Sequence, residues 1–358
     1  MTTAAIRGLF RPELGTIYLD AATYGLPPRP TVEAMARALT DWQSGRADWL
    51  RDWEPAAEEA RGFFAQLIGA GSEEIALVPT VSVGMGPMVA SLRAGDEVVV
   101  SNDEFVSVLF PLLVAAERRG VIVRTVPFAA LAEAVDARTR WVAFSLVQSQ
   151  GGRTAPLRAI CQAARVHGTR VLVDATHAIP FVDVAADLPA IDVLLCHGYK
   201  HLLSPRGAGF LYVRRDRWDD LPPVAANWRS AAPLYSRSYG GPLSPAAGAR
   251  RFDVSLDWFA WVGARESLAL LVEWQRAGVL APVRDLARAL ADRLGAEPPQ
   301  SSIVSVAVDD AATVLAHLSA AGIRVAAPGG RIRLAPHVYN TAEEIERAAT
   351  VLAPFVTR

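Results

Sequence analysis

Cysteine is scarce in this chain: Cys161 and Cys196 are the only two in 358 residues. Two are too few for a disulfide framework, and no Cys/His cluster with zinc-ligand spacing accompanies them, so no metal is expected. An excess of either charge sign is missing as well. Lys plus Arg total 36 and Asp plus Glu total 37, leaving a net charge of −1. That balance gives no bulk attraction to nucleic acid or to an anionic membrane, and neither is expected as a partner. No run reaches about 18 apolar residues without a charge, so no membrane span is expected. The opening MTTAAIRGLFRPELG has no long apolar core ahead of a small-residue cleavage site, so no signal peptide is expected. The setting these absences imply is reducing and cytoplasmic. There is no internal repeat and no low-complexity tract.

What is present is core-forming material. Apolar residues make up 51% and charged residues 20%, which excludes a disordered chain. At roughly 100–200 residues per domain, the length suggests two domains, or one large and one small.

Short runs rich in Val, Ile and Leu recur at 97–101, 121–126, 141–147, 171–175, 192–197 and 209–213. They are apolar nearly throughout, as strands buried on both faces are. Helical patterns lie between several of them, notably at 108–118 and 156–168. This alternation predicts an α/β fold with a mostly parallel sheet flanked by helices. Helices are also expected at 28–44 and 55–68. The stretch 215–250, rich in Pro, Gly, Ser and Trp, reads as a long crossing segment. Beyond it come helices at 257–276 and 280–295, a strand at 302–308, a helix at 311–321, a strand at 331–334 and a last helix at 341–354. These form a smaller C-terminal α/β unit. The expected division is an arm at 1–15, a large domain at 16–245 and a small domain at 246–358.

In such folds ligands sit beyond the carboxyl ends of the strands, so polar residues there carry the most information. Asp174 ends one strand, and Lys200 follows the next, 26 residues later. If those strands are neighbours, an acid and an amine meet in space. Pyridoxal phosphate needs this pair: a lysine for the Schiff base, and a carboxylate that keeps the pyridine nitrogen protonated so the ring acts as an electron sink.

The segment VDATHAIPFVDVAADLPAIDVLLCHGYKHLLSPRGAGFLYVRRD resembles the core motif of class V pyridoxal-phosphate enzymes. That group includes cysteine desulfurases, kynureninases and related lyases and aminotransferases. YLDAATYGLPP (18–28) is similar to the family's N-terminal strand and turn, and RLAPHVYNTAEEIERA (333–348) to its arginine strand and final helix. The resemblance implies fold type I, with a seven-stranded sheet in the large domain. It makes Lys200 the Schiff-base lysine, Asp174 the partner of the pyridinium nitrogen, and His177 a neighbour of the phenolic oxygen. His197 and Tyr199, just before the lysine, join the cofactor-binding set. Tyr199 stands where desulfurases have His and looks more like kynureninase, where a Tyr contacts the phosphate. Ser82, Val83 and Gly84 would cradle the phosphate. Phe105 would stack on the ring, with Phe110 read as core. Ser149, or its neighbour Gln148, would lie near the phenolic oxygen. Arg333 would grip the substrate carboxylate, with Arg331 as fallback. Asn227 and Trp228 are candidates for the substrate site. Ser255 would reach the phosphate of a neighbouring subunit, which implies a homodimer.

One departure matters. Desulfurases carry a mobile catalytic Cys near the carboxylate-binding arginine, and no Cys follows Cys196 here. Persulfide chemistry needs a thiolate nucleophile, so a conventional desulfurase is disfavoured. The expected activity is a lyase that breaks a C–S or C–C bond of an amino acid. The alternative is an aminotransferase, with a catalytically silent family member as a distant third. A Rossmann dehydrogenase should show G-x-G-x-x-G after the first strand, and none occurs there.

Overall fold

The computed structural model describes residues 3–235 and 238–357. Eleven strands occur among them: β1 (Ile17–Tyr18), β2 (Ile75–Val78), β3 (Glu97–Ser101), β4 (Ile122–Val126), β5 (Thr139–Ser145), β6 (Arg170–Asp174), β7 (Val193–His197), β8 (Gly209–Val213), β9 (Val304–Ala307), β10 (Ile323–Arg324) and β11 (Arg331–Leu334). Seven form one sheet in the order β2-β8-β7-β6-β5-β3-β4. From β7 to β4 every adjacent pair is parallel; β8 alone is antiparallel to both neighbours. The reversal follows from the connection. Residues 198–208 contain no helix to carry the chain back across the sheet, so β8 returns beside β7 in the opposite direction.

Alternate residues of each strand feed two cores, one per sheet face. Val142, Phe144, Val173, Leu194 and Phe210 pack with helices Glu54–Ile68, Leu157–His167 and Trp258–Arg276. Ala143, Leu172, Val193, Leu195 and Leu211 pack with Val81, Met88, Val108 and Leu112. The parallel sheet with helices on both sides matches the expectation except at β4. That strand is the sheet edge, and Ile122 is half exposed.

A third core joins Ile17 and Leu19 to Val304, Val306, Ile323, Ile332, Leu334 and Ile345. Here β11 runs antiparallel to β9, and β1 lies parallel to β10. The N-terminal strand thus packs with the C-terminal unit. Helix Trp258–Arg276, which follows the 246 boundary, packs in the first core.

The crossing segment is pinned by buried charge. Arg229 is fully buried and pairs with Glu54, Glu58 and Asp253. Asp253 also binds Arg61 at 2.6 Å and accepts from Leu77 N at 2.8 Å, so the segment docks against the edge of β2. Among the described residues no helix is long and apolar enough to cross a membrane.

Candidate active site

The carboxyl ends of β5, β6 and β7 lie side by side, with Ser145 opposite Asp174 and Asp174 opposite Leu195. Asp174 is buried and accepts from Thr176 N at 2.9 Å. Burial raises its carboxyl above the ordinary range, and Lys200 draws it back. Lys200 sits on the β7–β8 connection, where Leu203 takes a left-handed conformation (φ 54°). The N-terminal turn closes over this connection: Gly25 N donates to Tyr199 O at 2.9 Å. A Cβ at Gly25 would lie 2.3 Å from Lys200 O, so only glycine permits the approach.

Lys200 is the only lysine in the sequence; the other 35 basic residues of the Lys-plus-Arg count are arginines. Its Nζ lies 2.9 Å from His177 Nε2, 5.2 Å from the centre of the Phe105 ring and 5.7 Å from that of Tyr199. Burial lowers its pKa to about 8, against an opposing pull from Asp174. A surface lysine stays protonated at neutral pH; here the nucleophilic free amine is accessible. The ring of His197 meets that of Tyr199 edge-on at 4.4 Å, and the Arg206 guanidinium lies over Tyr199.

Arg333 is buried at the same place. Its NH1 donates to Ser149 O at 2.7 Å and its NH2 to Thr23 Oγ1 at 2.8 Å, while Asp20 lies 3.7 Å away. Its Nε has no partner. Arg331 turns away and donates to Ser305 Oγ and Ser305 O, so the fallback role is not supported.

The remaining candidates divide. Ser82, Val83 and Gly84 form the short helix after β2, capped by Thr80, which accepts from Val83 N at 3.2 Å and shares a hydrogen bond with Ser82. Ser149 contributes its carbonyl rather than its hydroxyl. The Gln148 side chain is engaged elsewhere: its oxygen accepts from Gln150 N and Gly151 N, and its amide donates to Asp103 O at 3.3 Å. Phe110 is 54% exposed and is not core. The Asn227 amide braces Ala225 O and Asp253 O, and Trp228 joins Trp49 and Tyr235 in an aromatic cluster. Neither contacts the group around Lys200. Ser255 is exposed beside Val254, which donates to Leu77 O at the sheet edge.

A group with acceptor atoms fits this place. His177 Nδ1 and both ring nitrogens of His197 are buried without partners, and burial drives the His197 pKa to about 4. Unpaired buried polar atoms are costly unless something completes them.

The family model for class-V aminotransferases matches residues 17–347. The chain belongs to the class-V aminotransferase family. This family works with pyridoxal phosphate, the cofactor of this chain. Isopenicillin N epimerase of Streptomyces clavuligerus is 29% identical over 94% of both chains. Kynureninase of Deinococcus radiodurans is 30% identical over 66% of this chain and 61% of its own. Among solved structures, the cystine C–S lyase C-DES in complex with its product cysteine persulfide superposes with a TM-score of 0.86. It covers 98% of this chain and 100% of the other at 23% identity, which establishes fold type I for this class-V member.

Three residues of the site went unread in the sequence. Asp20 and Thr23 lie within the YLDAATYGLPP motif and meet Arg333. Glu104 directly precedes Phe105.

Proposed function

We propose that the chain acts at Cα and Cβ of an amino-acid substrate, as a lyase that cleaves a C–S or C–C bond without a protein persulfide. The observation that carries this reading is the sole lysine, buried with a pKa of about 8 beside His177 and close to Asp174 and Arg333. Arg333 grips the substrate carboxylate through two nitrogens and fixes which Cα bond faces Lys200. Lys200 Nζ, as a free amine, would accept the Cα proton and could return it to the departing group. When bound, the cofactor supplies the sink for the electron pair left at Cα. Asp174 holds the proton at the pyridine nitrogen, and His177 bonds the phenolic oxygen. His197, Tyr199 and the Ser82–Gly84 turn serve the phosphate.

The cysteines support the absence of a persulfide. Cys161 is buried in a helix with its thiol pushed up to about 12, and Cys196 is fully buried with its thiol raised well above the ordinary range. Neither offers a thiolate.

A second reading, epimerisation at Cα, is favoured by the full-length match to isopenicillin N epimerase. It shares proton removal by Lys200 and differs only in where the proton returns. The holoenzyme incubated with amino acids in D2O separates the outcomes. Ammonia and a keto acid mark the lyase. Consumption of an added keto acid marks an aminotransferase. Deuterium at Cα with inverted configuration marks an epimerase. No exchange at Cα with any amino acid would overturn all three.

A further inference from the structure

Glu104 touches neither Lys200 nor Arg333 directly, yet its carboxyl is tied to the residues around them. It is 7% exposed, at the end of the turn that follows β3. Its Oε2 accepts from Ser145 N at 2.8 Å, and its Oε1 accepts from Phe105 N at 2.8 Å and from the Ser145 hydroxyl. Ser145 is the cross-strand partner of Asp174, and Leu146 N donates to Asp174 O at 2.9 Å. One carboxyl group therefore joins two things that are separate in sequence: the residue whose ring faces Lys200, and the strand end that presents Asp174. Phe105 needs such a tie. It stands at the N-cap of helix Val106–Arg119 and is 40% exposed, so packing alone does not fix it. A buried carboxyl with three donors is a costly way to hold a turn that an apolar residue could fill. The cost is explained if the position of Phe105 relative to Asp174 is what matters.

We propose that Glu104 is a positioning residue of the cofactor site, holding Phe105 over the cofactor ring and registering it to the β5–β6 strand end that carries Asp174. The inference rests on the pyridoxal-phosphate reading of Lys200 and Asp174. Glutamine at 104 offers one acceptor oxygen where two are used, so it leaves one or two of the three donors unpaired; alanine leaves all three.

The test is a double-mutant cycle on the reconstituted protein with Glu104→Ala, Phe105→Ala and the pair. The readouts are the pyridoxal-phosphate dissociation constant and the visible circular dichroism of the bound cofactor. Loss of a buried hydrogen-bond acceptor that serves three donors predicts affinity weaker by about tenfold or more in Glu104→Ala, with reduced visible dichroism. Glu104→Gln should fall between it and the wild type. The pair should be no weaker than Phe105→Ala alone, because the two residues act as one unit. Thermal unfolding of the apoproteins identifies the folded variants. Should Glu104→Ala not fold, the cycle is run with Glu104→Gln and with Ser145→Ala, which removes only the hydroxyl donor. Additive effects, or a folded Glu104 variant with wild-type affinity and dichroism, would overturn the proposal while leaving Lys200 as the cofactor lysine. A wild-type protein that binds no pyridoxal phosphate would instead defeat the underlying reading.

Discussion

An ε-amine in water keeps its proton up to about pH 10.4. Lys200 loses most of that hold through burial, so at neutral pH an appreciable fraction is already the free amine. Uptake of pyridoxal phosphate by the apoprotein should therefore speed up as pH rises and level off above about 8. Stopped-flow absorbance across pH 6–10 measures this; a rate still climbing toward pH 10 would mean an ordinary lysine. In the proposed reading Arg333 acts on substrate and not on cofactor. Arg333→Ala should raise KM by about 10²-fold, the scale of losing a charge-assisted two-point grip, with the visible spectrum unchanged. A bleached variant would place Arg333 at the cofactor instead. Asp174→Asn should lower kcat by at least about 10²-fold, the scale of losing a key electrostatic contact; near-normal turnover would contradict its role at the pyridine nitrogen.

Elements that bury whole faces were the easiest to read. The apolar runs at 97–101, 192–197 and 209–213 became β3, β7 and β8 with little or no shift, because their interiors are apolar and buried on both sides and their polar residues, such as Glu97, Ser101, Asp192 and His197, sit only at the ends. Strands β1 and β10 are two residues each and exist by pairing with one another, a partnership that local pattern does not encode. The helices at Val81–Gly84 and Gly86–Ser91 are short and part at Met85, with Pro87 in the first turn of the second, below the length where periodicity registers. The same limit explains the site. Lys200 and Asp174 were legible because Asp174 ends one buried strand and Lys200 follows the next, whereas Glu104 and Asp20 matter through partners 41 and 313 residues away. Buried charge that organises the crossing segment was equally invisible. Arg229→Met would leave Glu54 without its guanidinium and Asp253 with Arg61 alone, and should cost about 3–5 kcal/mol. Urea unfolding should show this as a lower midpoint; an unchanged midpoint would mean the network adds nothing net.

At the scale of the whole molecule, helix Val106–Arg119 leaves Phe110, Leu113 and Val114 exposed, and Val83, in the short helix after β2, is exposed too. With the exposed Ser255, this supports a homodimer whose sites lie near the interface. Sedimentation should give twice the chain mass, and Ser255→Ala should weaken cofactor binding without loosening the dimer. A monomer active at low concentration would contradict the assembly. The proposed chemistry turns on one amine. Because the chain has a single lysine, borohydride reduction of the yellow holoprotein followed by peptide mass analysis has only one ε-amine to report. The predicted result is loss of the visible band and a pyridoxyl-phosphate mass increment on the peptide containing Lys200. A colourless protein that takes up no pyridoxal phosphate, or a reduced protein with Lys200 unlabelled, would contradict it.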